Sequence, residues 1–391
     1  MIFNTFSYFL LFLLPAAVGF RLLAPKWRAP LLVVSGASFY LFFSLTAVGG
    51  VAGALCLGLF LWEAWFSRLY RPGSRWCLAG IAQALLILFI FKYWNFATGL
   101  ARGADNPWHW AGAFLPLGIS FFTFEFIHYA QDRRQNRAEA GGFWEYFAFI
   151  LFFPTLVAGP IKRYQDFLPA LRRPSTDWAT DWERGFTRIL SGLVKKFAVA
   201  DLMTAFTVHL NAADVARAER WVLPLWLVAY AVKIYFDFSG YSDIAIGSAR
   251  LFGLKVKENF DWPYLRTNIA EFWRHWHMSL TRWLMDYVFI PLGGSRVALP
   301  RIYLNIIATM FVSGLWHGAG LNFVVWGLWH GCALGIHRWW AHRPGRAGAV
   351  PTVAGRAAGW ALTFVTVTLG WAWFTMDIST ALLFFRRLIL G

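Results

Sequence analysis

Apolar runs of about 20 residues recur along this 391-residue chain, and a run of that length spans the hydrocarbon core of a bilayer as an α-helix. The composition agrees with this pattern. Hydrophobic residues make up 58% of the chain and charged residues only 14%, against roughly 25% charged in soluble domains. We therefore predict an all-α polytopic integral membrane protein that lies in the lipid bilayer.

The apolar runs are arranged as one membrane-embedded domain over residues 1–391, with three regions. Residues 1–130 hold N-terminal spans, residues 131–300 hold re-entrant and interfacial helices and a polar core, and residues 301–391 hold the C-terminal spans. The predicted spans cover residues 2–20, 31–46, 51–66, 76–97, 114–130, 189–210, 221–236, 302–315, 322–340 and 360–374. Proline breaks predict a re-entrant hairpin over residues 143–157, and a polar segment with tryptophans predicts an interfacial helix within residues 162–188.

The net charge of +16 comes largely from basic loops. The loops at residues 21–30, 67–75, 132–137 and 162–173 are cationic, whereas residues 98–113 are nearly neutral. Basic loops stay in the cytosol, so we predict an external N-terminus and no nucleic-acid partner. Residues 1–20 lack a preceding basic region, which favours an uncleaved first span over a signal peptide.

Titratable residues crowd among tryptophans between Glu271 and His317. Charged groups at membrane depth are costly and persist mainly where they have a function. His317 follows an apolar run and is flanked by glycines, so a neutral imidazole there can accept a proton from a hydroxyl. A structural histidine bonded to a carbonyl explains the spacing equally well.

A second histidine, His277, is separated from His275 by Trp276, which places the two on different faces of a predicted helix. Arg274 could pair with Asp286 or with a phosphate. An interfacial helix whose cations meet lipid headgroups is the alternative. We expect no metal site, since no histidine pair shows ligand spacing with a carboxylate. The cysteines fit no zinc or disulfide spacing either.

Two carboxylates, Asp237 and Asp243, lie on either side of Gly240. A helix broken at this glycine would let them coordinate a cation or orient a catalytic group. Capping of two half-helices is the alternative that we favour, because aspartate is a good N-cap residue.

Several motifs together resemble the membrane-bound O-acyltransferase family, in its bacterial alginate O-acetyltransferase branch. They are Leu117-Gly-Ile-Ser-Phe-Phe-Thr-Phe, Val157-Ala-Gly-Pro-Ile161, Tyr235-Phe-Asp-Phe-Ser-Gly-Tyr-Ser-Asp243, Glu258-Asn-Phe, Phe272-Trp-Arg-His-Trp-His-Met-Ser-Leu280, Asp286-Tyr-Val-Phe-Ile-Pro-Leu-Gly-Gly294 and Gly314-Leu-Trp-His-Gly-Ala-Gly320. The resemblance covers most of the chain.

The resemblance implies a ring of about ten to twelve transmembrane helices around a central tunnel. It also implies that His317 is the catalytic histidine and His277 the second functional one. The remaining candidates for contact with substrate or tunnel are Trp316, Asn322, Trp276, Ser279, Arg274, Asp237 and Asp243. The oxyanion of the reaction would be stabilised by Asn322 or by a backbone N–H near Gly318.

The function implied by the resemblance is transfer of an acyl group, expected to be acetyl, across the bacterial inner membrane. The donor would be a cytosolic thioester, either acetyl-CoA or an acyl carrier, and no bound cofactor is expected. The acceptor would be a hydroxyl of a periplasmic partner protein, an exopolysaccharide or a cell-wall glycan. The chain length is nearer to the branch that moves D-alanine from a carrier protein, so D-alanyl transfer is an alternative. A transporter for a glycan or lipid intermediate is an alternative from another class.

Overall fold

A computed structural model describes residues 4–47, 49–103, 106–343 and 352–390, and every regular element in these ranges is helical. The predicted all-α class is therefore confirmed. The chain divides into two compact units: Met1–Leu193 with Gly240–Lys257, and Val194–Ser239 with Glu258–Gly391. The start of the predicted first span, residues 2 and 3, lies outside the described residues.

The first unit contains the N-terminal helices, some of them joined by π-helical turns. In chain order these are α1 (Leu14–Leu22), α2 (Pro25–Ala47), α3 (Gly50–Phe66), α4 (Arg75–Leu88), α5 (Trp94–Arg102), α6 (Ile119–Arg134), α7 (Phe143–Ile150), α8 (Phe153–Leu156), α9 (Tyr164–Arg172) and α10 (Trp178–Val194). π-Helical segments precede α1 at Tyr8–Leu13 and join α4 to α5 at Phe89–Tyr93. The predicted hairpin over residues 143–157 corresponds to the two short helices α7 and α8.

The second unit contains the remaining helices. They are α11 (Thr204–Thr207), α12 (Ala212–Arg217), α13 (Val222–Leu251, whose last part belongs to the first unit), α14 (Ile269–His275), α15 (Met278–Leu284), α16 (Leu299–His317), α17 (Leu321–Ala341), α18 (Val353–Thr375) and α19 (Ile378–Leu390). π-Helical segments occur at Lys195–Ala200 and Met285–Phe289.

Helices long and apolar enough to cross a membrane occur in both units. In the described part of the chain there are six of them: Pro25–Leu45, Gly50–Leu69, Arg75–Arg102, Val222–Leu251, Leu299–His317 and Val353–Thr375. Apolar side chains on these helices face outward; Leu362, for example, is 70% exposed. Such a surface is stable in lipid, and the chain is a multi-pass membrane protein. The larger number of ten to twelve spans and the central tunnel stay predictions.

The predicted span over residues 189–210 is not one continuous helix. α10 gives way to the π-helical segment Lys195–Ala200, and a turn precedes the short helix α11. Lys196, in the middle of this run, pairs with Asp201 at 2.6 Å and with Asp237 at 2.9 Å. The apolar residues of this run predicted a span, but Lys196 within it forms ion pairs inside the second unit.

The expected helix break at Gly240 is also wrong, because α13 continues from Val222 to Leu251. At Gly240, α13 packs closely against Gly192 of α10 within the first unit. A Cβ added at Gly192 would lie 2.4 Å from the carbonyl oxygen of Gly240. A glycine that signals a break in sequence is here a contact point between two helices.

Candidate functional site

The helix pair α16 and α17 places His317 at a tight turn in the second unit. α16 ends at His317, and α17 begins at Leu321. Glycines let the two backbones touch. A Cβ at Gly314 would lie 2.2 Å from the carbonyl oxygen of Phe323, and a Cβ at Gly327 would lie 2.5 Å from that of Met310. Side chains at these positions would separate the helices, so the glycines fix the position of His317.

Aromatic rings surround the half-buried imidazole of His317. The ring centroids of Trp326 and Phe374 each lie 5.0 Å away, in edge-on geometry, and that of Trp316 lies 4.8 Å away. Edge-on contacts at these distances are favourable between aromatic groups. The rings come from α16, α17 and α18, so only the folded second unit assembles this site.

His277 lies in the connection between α14 and α15 rather than on a helix. α14 ends at His275, Trp276 is extended, and His277 has a left-handed backbone with φ of 44°. The prediction that His275 and His277 occupy two faces of one helix is therefore wrong. A positive φ is uncommon for a residue other than glycine and often marks a functional position.

Asn259 forms hydrogen bonds to the connection between α14 and α15. Its Oδ1 lies 3.1 Å from Nδ1 of His277 and accepts hydrogen bonds from the backbone N–H and the hydroxyl of Ser279, at 3.2 and 2.8 Å. Its backbone carbonyl accepts from the N–H of Met278 at 2.8 Å. Asn259 is fully buried. Asn259 therefore contacts both the side chain of His277 and the backbone N–H of the next residue, although it lies 18 positions earlier in the chain.

The imidazole of His277 is buried, and burial lowers its pKa from 6.5 to about 3. It is therefore neutral at physiological pH. Its Nε2 has no hydrogen-bond partner among the residues that the structure describes. Phe238 packs edge-on to the ring at 4.7 Å, and Phe260 stacks at 6.5 Å.

Trp316 connects the two histidines. Its indole lies 5.8 Å from the ring of His277 and 4.8 Å from the ring of His317, between ring centroids. Of the candidates predicted from sequence, the structure therefore brings His277, His317, Trp316 and Ser279 into one neighbourhood. Asn322, on the first turn of α17, has its Oδ1 beside Gly320.

The other predicted candidates have different surroundings. Trp276 is buried among rings, stacked on Phe272 at 5.5 Å and tilted against Trp371 at 5.1 Å. Arg274 is largely exposed and pairs with Glu271, three residues earlier on α14. These contacts support the packing of α14 and do not involve either histidine.

The two carboxylates around Gly240 are ion-paired in different units. Asp237 pairs with Lys196 at 2.9 Å in the second unit. Asp243 is buried in the first unit and pairs with Nε of Arg188 at 2.7 Å. Each carboxylate therefore has a cationic partner within its own unit.

Sequence reasoning missed the contact between Asn259 and His277. The motif Glu258-Asn-Phe was visible, but nothing local linked it to a histidine 18 residues later. It also missed Trp326 and Phe374, which occupy the two helices after His317. Trp326 and Phe374 could have been found from sequence only by comparing motif residues on separate helices.

Residues 37–344 match the profile of the membrane-bound O-acyltransferase family. The chain belongs to this family. It is 35% identical over 389 residues to a probable alginate O-acetylase of Pseudomonas aeruginosa, covering 96% of the chain and 72% of that protein. It is 30% identical over 413 residues to a peptidoglycan O-acetyltransferase of Helicobacter pylori, covering 96% and 77%.

A more distant relative is a teichoic acid D-alanyltransferase of Bacillus subtilis, 29% identical over 294 residues, which are 70% of this chain and 72% of that protein. Members of the family are O-acyltransferases, and so is this chain. The resemblance seen in the motifs is confirmed.

Proposed function

We propose that this protein transfers an acetyl group from a cytosolic thioester, such as acetyl-CoA, to a hydroxyl on the periplasmic side of the bacterial inner membrane. The acceptor is an exopolysaccharide, a cell-wall glycan or a partner protein. The relatives named as acetyltransferases support the acyl group and the acceptor class. The observation that carries the proposal is the single indole of Trp316 in contact with both His277 and His317.

His317 serves as the general base in this proposal. Its imidazole takes the proton of the acceptor hydroxyl while the hydroxyl oxygen attacks the thioester carbonyl carbon. The new C–O bond replaces the C–S bond, and the proton is then returned to the departing thiolate. Acyl transfer is thus balanced in protons and needs no bound cofactor.

The oxyanion that forms during attack needs a hydrogen-bond donor. α17 begins immediately after the Gly318–Gly320 turn, and no side chain caps its first turn. The N–H of Gly318 is directed back to the carbonyl of Gly314 at 3.4 Å. The N–H groups of Phe323 and Val324 likewise donate to the carbonyl of Gly320, at 3.2 and 3.3 Å. The side-chain amide of Asn322 and the backbone N–H groups of Leu321 and Asn322 are therefore the proposed oxyanion donors.

The second candidate function is transfer of a D-alanyl group from a carrier protein. It is supported by the match to the teichoic acid D-alanyltransferase, which covers 70% of the chain. The same two histidines would serve, because both reactions are acyl transfers from a thioester to a hydroxyl. Family membership favours both over the transporter alternative.

The test uses purified protein in nanodiscs with radiolabelled acetyl-CoA and glycan acceptors, and in parallel with a D-alanyl carrier. We expect acetyl transfer by the native protein and its loss by about 10²-fold or more in His317→Ala. His342→Ala is the matched control, because this exposed histidine lies outside the site and its Nδ1 is hydrogen-bonded to the carbonyl of Arg338. Full activity of His317→Ala would refute the assignment, and transfer of D-alanine alone would replace acetyl as the acyl group.

A further inference from the structure

The amide of Asn259 determines which ring nitrogen of His277 carries the hydrogen. The backbone N–H of Ser279 is directed at Oδ1 of Asn259, at 3.2 Å. A backbone N–H is always a donor, so the atom it meets must be the amide oxygen and not the amide nitrogen. Nδ1 of His277 lies 3.1 Å from the same oxygen and must donate its own hydrogen to it.

The opposite nitrogen of His277 is then a lone-pair acceptor. A neutral imidazole carries a single N–H, and here that group is on Nδ1. Nε2 is buried and has no hydrogen-bond partner within residues 4–47, 49–103, 106–343 and 352–390. Buried polar atoms are nearly always bonded, so an unpartnered acceptor on a ring that is 1% exposed points to a group supplied from outside the chain.

The connection around His277 is held in its unusual conformation by the same asparagine. The N–H of Met278 donates to the backbone carbonyl of Asn259 at 2.8 Å, while the side chain of Asn259 bonds both His277 and Ser279. Hydrogen bonds to the side chain of His277 and to the backbone of the residue after it therefore hold the left-handed φ of His277. Strained positions of this kind persist when the surrounding structure over-determines them, and they cluster at functional sites.

We infer that Asn259 is a positioning residue, which holds His277 as the Nδ1–H tautomer so that Nε2 accepts a hydrogen bond from an O–H or N–H group of a substrate. This inference rests on the proposed acyl transfer. Two substrates offer such a group: the hydroxyl-bearing acceptor, and the thioester donor through the amide N–H groups of its arm. The ring of His277 contacts the indole of Trp316, and the same indole contacts His317, the proposed general base.

The tautomer is measured by nitrogen NMR on protein labelled with ¹⁵N-histidine in nanodiscs. The signal of His277 is the one that disappears in His277→Gln. We expect native protein to show a protonated Nδ1 and an unprotonated Nε2, and we expect Asn259→Leu to lose this signature because the acceptor for Nδ1–H is gone. A native His277 with its hydrogen on Nε2 would overturn the inference.

Kinetics test whether the tautomer matters. We expect Asn259→Leu to raise the KM of one substrate or lower kcat, with a total loss in kcat/KM of about 10²-fold. A rise in the KM of the thioester would identify the donor as the partner of Nε2, and a rise in that of the glycan would identify the acceptor. Asn259→Asp keeps an acceptor of the same size and should recover both the NMR signature and most of the activity.

Asn305→Leu is the matched control. Asn305 is equally buried in the second unit, where its amide nitrogen donates to the carbonyl of Gly294 at 3.1 Å. Its replacement should lower thermal stability but leave the His277 signal and both KM values unchanged. Loss of the tautomer without loss of activity, or loss of activity with the tautomer intact, would each overturn the inference. Absence of acyl transfer by native protein would instead refute the proposed function.

Discussion

The indole of Trp316 lies edge-on to the imidazole of His277, with 5.8 Å between the ring centroids. The same indole meets the imidazole of His317 at 4.8 Å. His277 precedes a short helix and His317 ends a long one, so this aromatic side chain sets the spacing between two side chains from separate elements.

Replacement of Trp316 by alanine should lower both stability and activity. Trp316 is buried, and removing a buried tryptophan typically costs about 3–5 kcal/mol. Trp316→Phe keeps a ring between the histidines and should retain more of the kcat. Thermal unfolding and acetyl transfer are measured in parallel.

The control for this prediction is Trp221→Ala, because Trp221 is 64% exposed. It should change neither quantity appreciably. If Trp316→Ala behaved like Trp221→Ala in both assays, the indole would not be the spacer between the two histidines.

Enlarging Gly327 should separate α16 from α17. A Cβ there would lie 2.5 Å from the carbonyl oxygen of Met310, and overpacking of this kind typically costs about 1–3 kcal/mol. We expect Gly327→Ala to lower the Tm and to reduce acyl transfer, because His317 would move with α16.

Gly58→Ala is the comparison for Gly327→Ala. A Cβ at Gly58 would meet nothing within 4 Å, and alanine is a better helix former than glycine. Its Tm should be equal to or above that of the native protein. An unchanged Tm in Gly327→Ala would show that α16 and α17 can separate without loss of stability.

Substitutions of Glu125 and Lys162 should have strongly coupled effects on the stability of the protein. Nζ of Lys162 lies 2.6 Å from Oε1 of Glu125, and both side chains are buried in the first unit. Removing one partner leaves an uncompensated buried charge, which typically costs about 3–5 kcal/mol. We expect the double variant Glu125→Leu/Lys162→Met to be more stable than either single variant. Stability is measured by unfolding in detergent. A double variant whose loss of stability equals the sum of the two single losses would contradict the coupling.

Acid should weaken the contact between Glu145 and Arg172. Two nitrogens of Arg172 bond the carboxylate at 2.6 and 2.9 Å, and this hydrogen bonding lowers the pKa of Glu145. Because the folded pKa is below the unfolded one, the stabilisation is fully present above the unfolded pKa of about 4.3 and is lost as pH falls through the lower folded value.

Unfolding temperatures across the pH range therefore distinguish variants at this contact. Glu145→Gln should be less stable than native protein at neutral pH, and the difference should narrow under acid. Glu139→Gln is the control, because Glu139 is more exposed and bonds Arg172 through one nitrogen only. A gap between native protein and Glu145→Gln that stays constant from neutral to acid pH would contradict the prediction.

The sequence by itself determined the class of this protein. Apolar runs of bilayer length recur along the chain, and burying them in water-free surroundings requires helices whose backbone groups bond within each segment. The motifs around His277 and His317 were also sufficient to identify the family, because motif residues are read one by one along the chain. Both kinds of information are local.

Only the tertiary structure decided how the histidines are presented. The break after His275 depends on the bonds from Asn259, 18 residues before His277 in the chain, and no local propensity records such a bond. The close approach of α10 to α13 at Gly240 likewise depends on Gly192 of another helix. Helix ends, tautomers and close backbone contacts are set by partners distant in sequence, and for that reason they emerge only when the chain is folded.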